Sequence, residues 1–204
     1  MKAKNKIILL ILIVISAIVS LYFDNDLIKL IPYLRNGTLN SLFLAISFIG
    51  SGVIVALIAT LLFFWKKNKR KWILPLWVSF VISASIGFIL KITIQRARPF
   101  QTGIIQLVSG LQESISSWDF SFPSFHSMFA FCVLPILSQQ FPKLKKFWIA
   151  FAILVAFSRI YLGVHFVSDV IAGGAIGYLI GMMIVKAEKE NRFGEKIYRR
   201  VFGK

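Results

Sequence analysis

The chain has 204 residues, 57% of them hydrophobic, and a mean hydropathy of +0.78, more apolar side chain than a soluble domain of this length needs to fill a core. Its formal charge is +16, but the lysines and arginines come in short runs between apolar stretches. That distribution suits loops at a lipid bilayer surface and argues against nucleic acid as a partner, while the single cysteine, Cys132, excludes an intrachain disulfide.

The apolar runs predict an all-α polytopic membrane protein, one domain over 1–204, with six transmembrane helices bundled at about 7–23, 42–65, 72–90, 127–141, 147–162 and 166–185 and a basic tail over 186–204. Lys2, Lys4 and Lys6 precede the first run, and no small-x-small cleavage site follows before Asp24, so an uncleaved helix with its amino terminus inside is expected. Leu27, Leu30, Ile31 and Leu34, and later Ile104, Leu107, Val108 and Leu111, have helical apolar spacing, which predicts short helices lying on the membrane surface in both outer loops. Trp65, Trp72 and Trp148 border basic loops as interfacial anchors do. In the last run Gly173, Gly177 and Gly181 recur every four residues and open one face to close helix packing. The tail sets Phe193, Ile197 and Val201 among Arg192, Lys196, Arg199 and Arg200, the pattern of an interfacial helix or of a frayed basic end. Eighteen of the 24 lysines and arginines fall on the side of the two termini; Lys29, Arg35, Lys91, Arg96, Arg98 and Arg159 make up the other side. The termini are therefore expected in the cytoplasm of a cell bounded by this plasma (inner) membrane.

Three segments on the outward side carry chemistry, and they contain both histidines of the chain. In the first, Lys91 and Arg98 are seven residues apart, about 20° on a continuous helix, so both reach one anion; Pro99 then stops the helix. Arg96, about 140° from Lys91, reads as a cation that snorkels to headgroups. The second segment, Phe120 to Ser127, opens the fourth helix. Its free backbone N–H groups, that of Phe125 among them, form an anion site with the Ser124 and Ser127 hydroxyls, and His126 hangs over it. The third holds Ser158, Arg159, His165 and Asp169. Arg159 lies inside an apolar run and calls for an anionic partner or substrate. His165 and Asp169, four apart, share a helix face, where the carboxylate can hold one ring N–H and leave the other nitrogen free to attack; a structural Arg159–Asp169 ion pair is the alternative.

In order and spacing, Lys-x6-Arg-Pro, Pro-Ser-x-His and Ser-Arg-x5-His-x3-Asp resemble the motifs of the type 2 phosphatidic acid phosphatase superfamily, whose membrane branch contains bacterial lipid phosphatases. The resemblance implies a metal-independent phosphatase acting on a lipid phosphate or diphosphate such as undecaprenyl diphosphate, phosphatidylglycerophosphate or phosphatidic acid. It assigns His165 as nucleophile, His126 as acid and base, Asp169 as orienting carboxylate, and Lys91, Arg98, Ser124, Phe125, Ser158 and Arg159 as phosphate ligands, with no metal or other cofactor. A lipid phosphotransferase or a lipid A phosphatase using the same intermediate, and an anion transporter, are the rival readings. One departure stands out: the family usually has glycine where this chain has Phe125, a bulkier residue expected to narrow the pocket or reseat the headgroup.

Overall fold

The computed structural model describes residues 3–108, 111 and 120–202, and no strand occurs among them. Eight α-helices follow in order: α1 (Ala3–Lys29), α2 (Gly37–Ile49), α3 (Gly52–Trp65), α4 (Ile73–Ile94), α5 (Phe125–Gln140), α6 (Lys145–Tyr161), α7 (Val167–Asn191) and α8 (Phe193–Phe202). The stretch 67–94, which adds a 3₁₀ turn to α4, and α7 are each long and apolar enough to cross a membrane. The expected single helix over 42–65 is two helices, α2 and α3, bent by 62° at their junction. The cause is local: Gly50-Ser51-Gly52 interrupts the run, and a Cβ on Gly50 would meet Val155 of α6 at 2.5 Å while one on Gly52 would press into the Phe129 ring of α5. Both glycines let the elbow seat against neighbouring helices.

The shortest of the expected spans, α5, is the centre of the bundle. It is apolar all round, as a helix enclosed by others must be, and Met128, Cys132, Val133 and Ile136 are all buried. Its beginning is set by Ser124 and its end by Phe141 ahead of Pro142. The glycine stripe of α7 works as its spacing predicts. A Cβ on Gly173 would lie 2.6 Å from the Ser124 carbonyl oxygen, and Cβ atoms on Gly177 and Gly181 would overlap the carbonyls of Met128 and Cys132. The backbone of α5 thus lies directly on the bare face of α7.

The two outer-loop helices expected on the membrane surface are not formed as such. The first stretch is the end of α1 followed by a 3₁₀ turn over Ile31–Leu34, with Ile28 and Ile31 buried against α6 and α7. Over 104–108 the backbone is bend and coil; residues 109 and 110 lie outside the described ones. Ile105 and Val108 turn inward to separate clusters, so tertiary burial and not helical amphipathicity explains their spacing. The tail resolves into a docked helix. The buried Glu188 carboxylate accepts from the Gly194 and Glu195 N–H groups at the start of α8, and Glu195 pairs with Lys71 at 2.9 Å and Arg199 at 2.6 Å.

Candidate active site

The site forms where the end of α4, the start of α5 and the turn between α6 and α7 converge. That turn is dictated by Gly163, whose φ of 82° lies in the left-handed region that ends helices. With the chain reversed there, the Arg159 carbonyl accepts from both Val164 N at 3.2 Å and His165 N at 3.3 Å, which folds His165 back over the end of α6. Arg35 seals the same turn: its Nη2 donates to the Tyr161 carbonyl at 2.9 Å and its Nη1 to that of Gln106 at 2.6 Å.

The side chains of His165 and Asp169 do come together. His165 Nδ1 faces Asp169 Oδ2 at 3.6 Å, beyond hydrogen-bond length, and Ser121 Oγ lies 3.4 Å from the same nitrogen. Ser121 Oγ donates to Asp169 Oδ2 at 2.5 Å, and Phe166 N donates to that oxygen at 2.9 Å, which ties Asp169 into the first turn of α7. Asp169 is fully buried. The alternative Arg159–Asp169 pairing is replaced by another cation, Arg96, whose Nη1 donates to Asp169 Oδ1 at 2.7 Å. His165 is also buried, and this, reinforced by the positive charge of Arg98, Arg159 and Lys91, pushes its pKa well below the ordinary value of 6.5, which favours the uncharged ring.

Lys91 and Arg98 converge, though not as neighbours on one helix. α4 stops at Ile94 because Gln95 adopts a left-handed conformation with φ 50°, and Arg98 reaches the site from the extended chain beyond it. Arg98 Nη1 donates to the Val164 carbonyl at 3.1 Å, and Lys91 Nζ donates to the Phe120 carbonyl. Arg159 Nη1 donates to Ser47 Oγ on α2, so the bent α2–α3 pair also touches the site. Arg159, His165, Arg98 and Lys91 are the charged or titratable neighbours of the half-buried His126. Ser124 is buried at the start of α5; its N–H donates to the Asp169 carbonyl oxygen at 3.1 Å and its Oγ accepts from Ser127 Oγ at 3.2 Å. The Ser158 hydroxyl donates to the Val155 carbonyl at 2.6 Å, within its own helix.

The Phe125 side chain packs against α4. Its ring packs in a notch on α4 that exists because residue 87 is glycine, with a Cβ there falling 2.8 Å from Phe125 Cδ1. The ring stacks on Phe129 at 5.6 Å between centroids, and Lys91 Nζ lies 5.2 Å from its own centroid. Sequence reasoning missed Ser121, Ser47 and Arg96. Ser121 carried a signal in its place within the Phe120–Ser127 motif; Ser47 carried none.

Three cations around a buried imidazole are an arrangement that can receive an anion with a ring nitrogen beside it. Known proteins agree with this reading of the fold. The profile of the PAP2 superfamily matches residues 72–193. An undecaprenyl-diphosphatase of Sulfolobus acidocaldarius is 32% identical over 192 residues, covering 89% of this chain and 90% of that protein. A phosphatidylglycerophosphatase B of Bacillus subtilis is 33% identical over 190 residues, covering 85% and 87%. Among solved structures, the transmembrane PAP2-type phosphatidylglycerolphosphate phosphatase of Bacillus subtilis superposes with a TM-score of 0.71 at 27% identity, over 92% of this chain and 98% of that one. With the profile spanning more than half of the chain and relatives matched almost end to end, this protein belongs to the PAP2 superfamily.

Proposed function

We propose that the protein is an integral membrane phosphatase that releases phosphate from a lipid phosphate or diphosphate through a phosphohistidine on His165. The observation that carries this reading is a buried His165 set against a fully buried, hydrogen-bonded Asp169, with Arg98, Arg159 and Lys91 as its cationic neighbours. The names of the two sequence relatives support the substrate class.

The lipid's phosphate enters among the three cations, which hold the oxygens where transition-state charge collects, together with backbone N–H groups at the start of α5. His165 Nε2 attacks phosphorus in line, the bond from phosphorus to the lipid oxygen breaks, and His126, protonated once the negative phosphate offsets the surrounding cations, gives its proton to this oxygen. Asp169 stabilises the charge that develops on the His165 ring. Water deprotonated by His126 then attacks the phosphohistidine, the P–N bond breaks to the imidazole, and inorganic phosphate leaves. Both histidines end in their starting states.

Six crossings serve this chemistry: α1, the bent α2–α3 pair, α4, α5, α6 and α7. With eighteen of 24 basic residues on the side of the termini, the site opens at the extracytoplasmic face and takes its substrate from the outer leaflet. The test uses purified protein in detergent with a chelator, given undecaprenyl diphosphate, phosphatidylglycerophosphate or phosphatidic acid. Phosphate release from at least one is expected. His165→Ala should release none and form no acid-labile phosphoenzyme, and substantial turnover in that variant refutes the mechanism.

A further inference from the structure

Asp24 lies on α1, far outside the 72–193 stretch that the family profile matches, yet it is almost completely buried beside the catalytic apparatus. Its Oδ2 accepts from Arg96 Nη2 at 2.7 Å and from the Ser168 hydroxyl, and its Oδ1 accepts from the Ser168 backbone N–H at 3.0 Å. Arg96 spans the gap. Its second arm, Nη1, donates to Asp169 Oδ1 and to Ser168 Oγ, each at 2.7 Å, and its guanidinium lies 4.1 Å from the centroid of the Phe166 ring. One guanidinium thus joins two buried carboxylates, one of which faces His165.

We infer that Asp24 is a positioning residue for phosphoryl transfer, acting through Arg96 on Asp169. The inference rests on the functional reading above and concerns the same site. A carboxylate stabilises an imidazolium only while its own charge is uncompensated. Arg96 alone would neutralise Asp169, in a site that Lys91, Arg98 and Arg159 already make positive. Asp24 supplies the second negative charge, so the guanidinium is shared and the field of Asp169 at His165 survives. The geometry follows from the same contacts. With Oδ1 occupied by Arg96, Oδ2 is the oxygen presented to Ser121, Phe166 N and His165. Because Phe166 precedes α7 with no side-chain cap of its own, Asp24 also satisfies an orphan N–H at Ser168 and pins the first turn on which Asp169 stands.

The experiment compares the wild type, Asp24→Asn, Arg96→Met and the double variant, purified in detergent, with dioctanoyl phosphatidic acid and undecaprenyl diphosphate as substrates and thermal unfolding followed in parallel. Asp24→Asn is expected to lower kcat at least tenfold, about the size of one lost charge interaction, with KM within about threefold of wild type. In the Arg96→Met background the same substitution should change kcat by less than about threefold, since the charge route through Arg96 is gone while the amide oxygen can still accept from the Ser168 N–H. A folded Asp24→Asn protein with wild-type kcat, or an equal loss in both backgrounds, overturns the inference while leaving the phosphatase reading standing. If Asp24→Asn does not fold, Asp24→Glu, which keeps the charge and displaces it by one methylene, takes its place with the same kcat-selective loss expected. A wild type inert toward both substrates overturns the functional reading, and the inference with it.

Discussion

Gly173→Ala tests whether the close seam between α5 and α7 sets the catalytic geometry. The added Cβ would lie 2.6 Å from the Ser124 carbonyl oxygen, where ordinary contact begins near 3.4 Å, so the start of α5 must move away by about 0.8 Å. Backbone on both sides leaves no flexible side chain to yield. Overpacking costs about 1–3 kcal/mol, and alanine returns up to about 1 kcal/mol of helix propensity, so the net stability loss is about 2 kcal/mol or less. Activity should suffer more. Ser124 N donates to the Asp169 carbonyl, and His126 is carried on the same turn, so the shift separates His126 from Asp169. Misplacement near 1 Å in a site that relies on positioning costs about 10²-fold in rate. Phosphate release and thermal unfolding on the same preparation separate the two effects, and Gly37→Ala, with open space around its Cβ, serves as a control with wild-type activity. A Gly173→Ala enzyme within threefold of wild-type kcat refutes the link between seam and site.

Asp169→Asn should fold and bind substrate yet lose about 10³-fold or more in kcat, because an amide cannot stabilise the imidazolium; near-normal turnover returns the residue to a purely structural role. Phe125→Gly should cost about 3 kcal/mol by emptying the notch beside Gly87 and Phe129, without widening substrate range, and a gain of activity on bulkier headgroups contradicts the packing described. In a Cys132→Ala protein, a cysteine replacing the exposed Thr102 should react with an impermeant thiol reagent in intact cells, whereas one replacing the exposed Lys67 should not; the opposite pattern moves the site to the cytoplasmic face.

Some of this architecture is legible in the chain because a single local period carries it. Gly173, Gly177 and Gly181 lie on one face of an α-helix, whereas His165 and Asp169 meet as their four-residue spacing suggests but not on one helix face, since His165 sits in the bend before α7 and only Asp169 stands in its first turn. The convergence of Lys91 with Arg98 is legible as an outcome but not as a geometry, since a left-handed Gln95 carries out what an unbroken helix was expected to do. Apolar spacing misleads at Ile104–Leu111, where Ile105 and Val108 are spaced for burial in irregular backbone. The bend between α2 and α3 had a signal in Gly50-Ser51-Gly52, overridden by the length of the apolar run. Arg96 shows the limit most clearly: alone it reads as one more surface cation, and its partners, Asp24 and Asp169, stand 72 and 73 positions away in opposite directions.

The burial of Asp24 also bears on how the molecule is made. Arg96 and Ser168 trail it by 72 and 144 positions, so its full set of partners is complete only when most of the protein has left the ribosome. At roughly 5–20 residues per second, Ser168 emerges some 7–30 s after Asp24. Through that interval the contacts of Asp24 to the start of α7 are unmade, and α1 lacks its final seat. Final seating of α1 therefore waits for the start of α7, which makes closure of this end of the bundle a late event of biogenesis.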